Sequence, residues 1–291
     1  MIYLDNAATT LHKPPEVAEA VKQAILTAGN ASRGAHCVSL AASRTVFETR
    51  QKLAQLFSCP REDHVVFTMN STEALNIAIY GLLSPGNHVI STDLEHNSVL
   101  RPLYDLQTRG VFADFVPADR LGNVRYEDFE ALFRENTKAI VCTHASNLTG
   151  NVLDIARISE IAHAHGALLI EDAAEAMGAF WADVPCGGFG DYAAVSYNGN
   201  KIITGSSGGC LLTNDISDAN HARKWSTQAR ENAAWYQHEE VGYNYRMSNV
   251  IAGVIRSQYP HLEAHIAQKK AIYDRYWEGL RDLPVQMNPF D

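Results

Sequence analysis

Two residues at the ends of apolar runs have side chains that could do covalent and acid–base chemistry together. Asp172 follows the run at residues 167–170, and Lys201 follows a second run at residues 192–195. If both runs are parallel strands, their carboxyl ends present an acid and an amine at one edge of a sheet. An amine can form a Schiff base, and a carboxylate can keep a pyridine nitrogen protonated. Pyridoxal 5'-phosphate chemistry needs this pair, although a lone lysine after a strand is more often an exposed surface residue.

A strand end that runs into a helix could bind the phosphate of such a cofactor. Ser71 and Thr72 follow the apolar run that ends at Thr68, and an amphipathic pattern begins there. Free backbone N–H groups and hydroxyl donors at a helix N-terminus favour an anion. Taken alone, the pattern is more typical of an ordinary N-cap in which Ser71 satisfies its own helix.

Two further strand ends carry side chains that could contact a flat ring. His96 follows the run that ends at Thr92 and could stack on the ring, and Asn147 follows the run that ends at Thr143 and could donate to a ring hydroxyl. Each alone is more simply interpreted as an exposed loop histidine or a turn asparagine. Together the residues supply an anchor, a stacking ring, a hydroxyl donor, an acid and an amine in chain order.

The elements that must position these residues alternate along the chain. Apolar runs predict strands at residues 64–68, 88–92, 111–116, 138–143, 167–171, 192–196 and 209–213. Amphipathic patterns predict helices at residues 15–27, 39–57, 71–83, 98–109, 126–134, 155–165, 215–230, 248–258 and 262–280. The alternation predicts an α/β fold with a mostly parallel, seven-stranded sheet that has helices on both faces. A ligand would then lie at the carboxyl ends of the strands.

The same patterns predict how the chain divides. We expect an N-terminal arm of a small lobe at residues 1–15 and a large cofactor-binding domain at residues 16–255. Residues 256–291 would form a long helix that leads into an incomplete C-terminal small lobe, since no closing sheet follows.

Composition narrows the possible partners. The chain has 291 residues and a formal net charge of −9, which argues against a nucleic-acid partner. Its five cysteines are widely separated and show no metal-ligand spacing, so we expect no metal site, no disulfide framework and a cytoplasmic location. We find no signal peptide and no run of 18 apolar residues, so we expect no membrane association.

The whole chain resembles fold-type I pyridoxal-phosphate enzymes, and residues 1–165 resemble the class V aminotransferase and cysteine desulfurase family. The motifs that carry this resemblance lie at residues 3–10, 70–73, 95–98 and 143–150. The resemblance implies that Ser71 and Thr72 bind the cofactor phosphate, that His96 stacks on the ring and that Asn147 contacts the ring hydroxyl.

Residues 166–291 are similar to the DegT/DnrJ/EryC1/StrS sugar aminotransferases. The motifs lie at residues 171–176, 188–191, 196–201, 208–209 and 242–248. This resemblance implies that Asp172 contacts the pyridine nitrogen, that Ser196 binds the phosphate and that Lys201 forms the Schiff base. Glu175 stands where either family often has a cofactor-binding glutamine or histidine. Asn244 matches an asparagine that reaches the phosphate of the partner subunit, which implies a homodimer.

Three functions remain open at this stage. The first is an aminotransferase that works through a Lys201 internal aldimine and passes an amine from a small-molecule donor to a keto acceptor. The second is a cysteine desulfurase or cysteine lyase of the class V type, although none of the five cysteines lies in that family's nucleophile segment. The third is an inactive remnant that binds the cofactor without turnover.

Overall fold

A seven-stranded sheet lies at the centre of the protein in the computed structural model, which describes residues 2–31 and 34–287. In chain order, the strands of the described residues are β1 (Val65–Thr68), β2 (His88–Thr92), β3 (Phe112–Val116), β4 (Thr137–Thr143), β5 (Leu168–Asp172), β6 (Phe180–Trp181), β7 (Val184–Pro185), β8 (Tyr192–Ser196) and β9 (Gly209–Thr213). Strands β6 and β7 form a separate two-stranded sheet.

The large sheet is mostly parallel, as the sequence predicts. Its order is β1-β9-β8-β5-β4-β2-β3, and only β9 runs against the other six strands. Each of its strands begins and ends within one residue of the predicted bounds. Every residue of β1, β2, β8 and β9 is buried, which is why β1, β8 and β9 appear in the sequence as mainly apolar runs.

Helices cover both faces of the sheet. Their bounds are α1 (Pro15–Thr27), α2 (Cys37–Leu56), α3 (Ser71–Leu82), α4 (Asn97–Thr108), α5 (Tyr126–Ala131), α6 (Ile155–Ala164), α7 (Ile216–Ser226), α8 (Asn249–Gln258) and α9 (Leu262–Leu280), with 3-10 turns at Glu62–His64 and Tyr259–His261. One face packs against α3, α4 and α7. The opposite face packs against α2 and α8 at one end and against α5 and α6 at the other. Side chains alternate between the two faces, as the period of a β-strand requires.

Helix α7 ends earlier than its amphipathic pattern predicts. The helix stops at Ser226 rather than at residue 230, because Gln228 and Ala229 adopt the left-handed conformation with φ of 72° and 48°. The backbone N–H of Gln228 donates to the carbonyl of Tyr243 instead of to a helical carbonyl. A Cβ at Gly242 would lie 2.6 Å from that of Ala229, so the two segments approach closely only because residue 242 is glycine.

The β6–β7 hairpin is absent from the prediction. Ala182 and Asp183 form its turn with φ of 47° and 68°, the left-handed geometry of a tight two-residue hairpin. Such turns usually contain glycine or asparagine as well as aspartate, and here Asp183 alone is of these types, so the turn signal in the sequence is weak.

One of the two predicted domain boundaries coincides with the start of a helix, and the other does not. Helix α1 begins at Pro15, where the predicted arm ends, whereas the boundary at residue 255 falls inside α8. Helix α8 packs against both α1 and α2. The division into an arm, a large domain and a following helix therefore stays a prediction. Within residues 2–31 and 34–287, no helix is both long and apolar enough to cross a membrane.

Candidate active site

The carboxyl ends of the parallel strands surround an open cavity of about 260 Å³. Side chains from the ends of β4, β5 and β8 and from the first turns of α3 and α4 line it. The lining residues are Asn70, Ser71, Thr72, His96, Ser98, Thr143, Ala145, Asn147, Asp172, Ala174, Glu175, Ser196, Asn198, Asn200 and Lys201. Eight of the nine predicted site residues are among them, and Asn244 is not.

Asp172 is the acid of this cavity. It is the last residue of β5 and is 4% exposed. Its Oδ1 accepts a hydrogen bond of 3.1 Å from the backbone N–H of Ala174. Burial raises the pKa of the Asp172 carboxyl, and this effect outweighs the opposing ones of the Ala174 N–H, His96 and Lys201. A cationic partner in the cavity would favour the ionised form.

Lys201 is the amine of this cavity. The loop after β8 carries it, and its backbone N–H donates to the Asn198 carbonyl at 3.0 Å. The side chain is only 12% exposed, and its Nζ forms an ion pair with Glu175 Oε1. Glu175 thus contacts the amine of Lys201, and its contact with a cofactor stays a prediction. Ser196 closes β8 and is buried at the cavity wall.

The N-terminus of α3 supplies hydroxyl groups. Asn70, not Ser71, is the N-cap residue, and its Oδ1 accepts a hydrogen bond of 2.9 Å from the N–H of Glu73. Ser71 and Thr72 occupy the first helical positions and line the cavity. Because Asn70 caps the helix, neither hydroxyl has to do so. Ser71 is therefore not the ordinary N-cap residue that the sequence pattern alone would favour.

Gly209 allows β9 to approach the start of α3 closely at the cavity. It begins β9 and lies beneath the start of α3. A Cβ built on it would lie 2.6 Å from the Ser71 backbone nitrogen, so any other residue would displace that helix terminus. The sequence shows this glycine only as part of an ordinary glycine-rich loop.

His96 and Asn147 face the cavity from the other side. His96 is the N-cap of α4, where its Nδ1 accepts from the Ser98 N–H at 3.1 Å and lies 2.7 Å from Ser98 Oγ. These contacts fix one edge of the imidazole while the ring lines the cavity. Asn147 is exposed in the loop after β4.

Asn244 lies apart from the other predicted residues. It is exposed and forms a single β-bridge with Thr227. Exposed aromatic side chains accompany it in the same segment, namely Trp235, Tyr236 and Tyr243. This position does not place Asn244 in the cavity of its own chain.

Three buried residues behind the cavity were not predicted. Glu171 is fully buried, and its carboxylate accepts from the backbone N–H groups of Gly187, Phe189 and Gly190, the first two at 3.0 and 2.8 Å. Its Oε2 also lies 3.4 Å from His144 Nδ1, and Glu95 is buried beside the end of β4. Glutamate side chains are usually exposed, so the residue type alone does not predict that Glu171 and Glu95 are buried.

Neither a thiol nor a metal site belongs to this cavity within the described residues. The five cysteines are unpaired and none lines it; Cys142, Cys186 and Cys210 are buried, Cys59 is partly buried and Cys37 is exposed. Burial raises the pKa of the Cys59 and Cys186 thiols to about 11, which disfavours their nucleophilic form. No metal-binding group of acidic, histidine or cysteine side chains occurs in residues 2–31 and 34–287.

With this geometry established, comparison with known proteins assigns the family. The model of the DegT/DnrJ/EryC1/StrS aminotransferase family matches residues 41–291. The chain belongs to this family. The match begins well before residue 166, so the DegT/DnrJ/EryC1/StrS pattern also covers much of the segment that resembles cysteine desulfurases.

Relatives of both expected kinds are found. The GDP-perosamine synthase of Caulobacter vibrioides is 34% identical over 221 residues, which cover 76% of this chain and 58% of that protein. A probable cysteine desulfurase of Methanothermobacter thermautotrophicus is 36% identical over 208 residues, covering 71% of this chain and 51% of that protein. The chain spans between about half and three-fifths of the length of these relatives.

Solved structures confirm the expected fold. The crystal structure of the aminotransferase TlmJ from Streptoalloteichus hindustanus matches with a TM-score of 0.79 at 21% sequence identity. The match covers 94% of this chain and 70% of that one. At this identity the likeness establishes the arrangement of helices and strands.

Proposed function

We propose that this chain is a pyridoxal-phosphate-dependent aminotransferase that moves an amino group from a small-molecule donor to a keto acceptor. One observation supports this most: a buried acid, Asp172 at the end of β5, and a largely buried amine, Lys201 in the loop after the adjacent strand β8, line the same cavity. Membership of the DegT/DnrJ/EryC1/StrS aminotransferase family agrees with it.

The residues of the cavity fit the proposed cofactor. Ser71, Thr72 and Ser196 would bind the phosphate, helped by the N–H groups and dipole of α3. Asp172 would accept a hydrogen bond from the protonated ring nitrogen, and that positive charge offsets the cost of ionising a buried carboxyl. His96 would stack on the ring, and Asn147 would contact its hydroxyl.

Lys201 and Glu175 would handle the amine and the proton. When bound, pyridoxal phosphate supplies an aldehyde that links to amines and a ring that accepts electrons. Lys201 Nζ would be the attachment point and, once released by a substrate amine, would carry the proton at the substrate α-carbon. Glu175 pairs with that Nζ in the free protein and keeps it directed into the cavity.

We also propose a homodimer in which Asn244 reaches the phosphate of the partner subunit. Its exposed position outside the cavity of its own chain, beside Trp235, Tyr236 and Tyr243, is compatible with this role. We further propose a cytoplasmic location, because five unpaired cysteines are typical of a reducing compartment.

A cysteine desulfurase or lyase is the second candidate, favoured by the relative in Methanothermobacter thermautotrophicus. Desulfuration needs a thiol that can attack the substrate sulfur. Within the described residues no cysteine lines the cavity, which is why we place this function second.

The proposal is tested by loading the protein with pyridoxal phosphate, trapping the link with borohydride and locating it by mass spectrometry. We expect the label on Lys201, its loss in Lys201→Ala, and retention in the control Lys269→Ala, whose lysine is exposed on α9. Loaded protein should release 2-oxoglutarate from L-glutamate.

The alternatives give different results in the same assays. Alanine and sulfide formed from L-cysteine, without 2-oxoglutarate from glutamate, would favour the desulfurase. Labelling at Lys201 with no product from either donor would indicate an inactive binding protein. If no label forms on Lys201, the proposed function is wrong.

A further inference from the structure

Glu95 is a buried carboxyl that the proposed chemistry does not use. It lies in the loop between β2 and α4, directly before His96, and is 7% exposed. We propose that Glu95 is held as a neutral carboxylic acid with its proton on Oε2, and that it is a positioning residue joining the His96 loop to the end of β4.

The hydrogen bonds of the two carboxyl oxygens differ. Oε1 accepts from Thr92 Oγ1 at 2.8 Å and from the Thr143 backbone N–H at 2.9 Å. Oε2 is buried and has no partner among the described residues. An ionised carboxylate would place charge on an oxygen that is shielded from bulk solvent and that no described donor contacts, whereas a protonated Oε2 leaves only a neutral hydroxyl unsatisfied.

The ionisable groups around Glu95 also favour its neutral form. Asp172 at the end of β5 disfavours a negative charge on Glu95, and the Cys142 thiol of β4 is buried near both carboxyl groups. The possible cations at the cavity, His96 and Lys201, contact other groups, namely Ser98 and Glu175. Burial, with a smaller contribution from Asp172, raises the pKa of Glu95 to about 8.

The position of Glu95 explains why such a group is useful. Parallel pairing between β2 and β4 ends at Ile90 and Ile140, so the N–H of Thr143 has no strand partner on that side. Glu95 supplies the acceptor for this N–H, and Thr143 pairs on its other side with Asp172 of the neighbouring strand β5. The carboxyl therefore joins the loop that carries His96 to the strand beside the acid, without adding a negative charge there.

The neutral state predicts a specific pH dependence of unfolding. Between the unfolded pKa of a glutamate, about 4.3, and the folded value, the folded protein binds one proton more than the unfolded chain. Stability from Glu95 is thus complete below about pH 4 and is lost as the pH rises toward about 8. Gln, which is uncharged and similar in shape, has no such dependence.

We therefore compare denaturant unfolding of wild type and Glu95→Gln between about pH 5 and about pH 8. The ratio of their unfolding equilibrium constants should change by about tenfold per pH unit in favour of the variant as the pH rises. The control Glu160→Gln, at an exposed glutamate of α6, should show no such trend. A pH-independent ratio for Glu95→Gln would show that Glu95 is ionised and overturn the proposal.

A second measurement uses the wild-type protein alone. Infrared spectra of protein carrying carbon-13 glutamate should show, at neutral pH, a shifted carbonyl band of a protonated glutamic acid that disappears at alkaline pH. The label separates Glu95 from Asp172. Absence of this band in the folded protein contradicts the neutral state even if the variant does not fold.

The positioning role has its own readout, which requires no cofactor. Amide hydrogen exchange at Thr143 and Ser98 should be at least about tenfold faster in Glu95→Ala, because the acceptor of the Thr143 N–H and the support of the His96 cap are lost. Glu95→Gln should restore wild-type exchange at both amides. Unchanged exchange at Ser98 in Glu95→Ala would show that Glu95 does not hold the His96 loop.

Discussion

Asp172 combines a buried position with a proposed task that requires a charge. Because burial raises its pKa above the unfolded value of about 3.9, the folded free protein keeps a proton that the unfolded chain loses. Above about pH 4, this extra proton makes the unfolding free energy of the wild type fall with rising pH, by up to about 1.4 kcal/mol per pH unit. Asp172→Asn should remove this contribution to the pH dependence. Urea unfolding across this range measures it.

The same variant should weaken cofactor binding at neutral pH. A neutral amide cannot balance a protonated ring nitrogen, so affinity followed by fluorescence titration should fall by about tenfold or more. Equal pH slopes in wild type and variant, or unchanged affinity, would contradict the role of Asp172.

Residue type and position relative to a strand end were enough to predict most of the cavity. Lys201, Asp172, Ser196 and the α3 hydroxyls follow apolar runs, and parallel strands bring such positions together. Asn70 could have been identified as the cap, since Glu73 stands three residues later. The burial of Glu95 could not, because it depends on the neighbouring strand and not on local pattern.

At the scale of elements, the contact between β9 and the start of α3 should tolerate no side chain. Gly209→Ala would push a methyl group against the Ser71 backbone nitrogen, so we expect a loss of about 1–3 kcal/mol in unfolding free energy and weaker cofactor binding. Thermal or urea unfolding and cofactor titration measure both.

The matched control is Gly279→Ala in α9, where a Cβ would meet nothing within 4 Å. There we expect a gain of up to about 1 kcal/mol, since alanine favours helix more than glycine does. If Gly209→Ala behaves like this control, the close approach of β9 to α3 is not a constraint.

The bounds of an element were predicted well where its residues are continuously buried, and poorly where long-range backbone pairing determines where the element ends. The strands of the large sheet match because apolar runs mark them directly. The end of α7 is set by pairing with Tyr243, and the β6–β7 turn by left-handed Ala182 and Asp183. Neither interaction leaves a periodic signal in its own segment.

At the scale of the whole molecule, the proposed dimer makes each site depend on two chains. Lys201→Ala removes the attachment point of its own site, and Asn244→Ala removes a phosphate contact from the partner's site. In a mixed dimer one site would carry both losses and the other neither. Mixing the two variants under exchange conditions should therefore restore high-affinity covalent cofactor incorporation in one of the two sites of each mixed dimer.

The unmixed variants are the controls for this complementation, and sedimentation measures the assembly state. We expect no incorporation in Lys201→Ala alone and weak incorporation at limiting cofactor in Asn244→Ala alone. Failure of the mixture to exceed the unmixed samples, in protein that sediments as a dimer, would show that Asn244 does not act across the interface.

The end of β5 carries two carboxylates side by side with opposite surroundings. Glu171 is enclosed by the backbone of residues 187–190, and Asp172 lines the cavity. Consecutive side chains of a strand point in opposite directions, so inserting one residue upstream in β5 would move Glu171 into the cavity-facing position that Asp172 now occupies. The longer glutamate would then face the cavity, and the aspartate would point toward the opposite face. This short strand should accept many apolar substitutions during evolution but no change in its length.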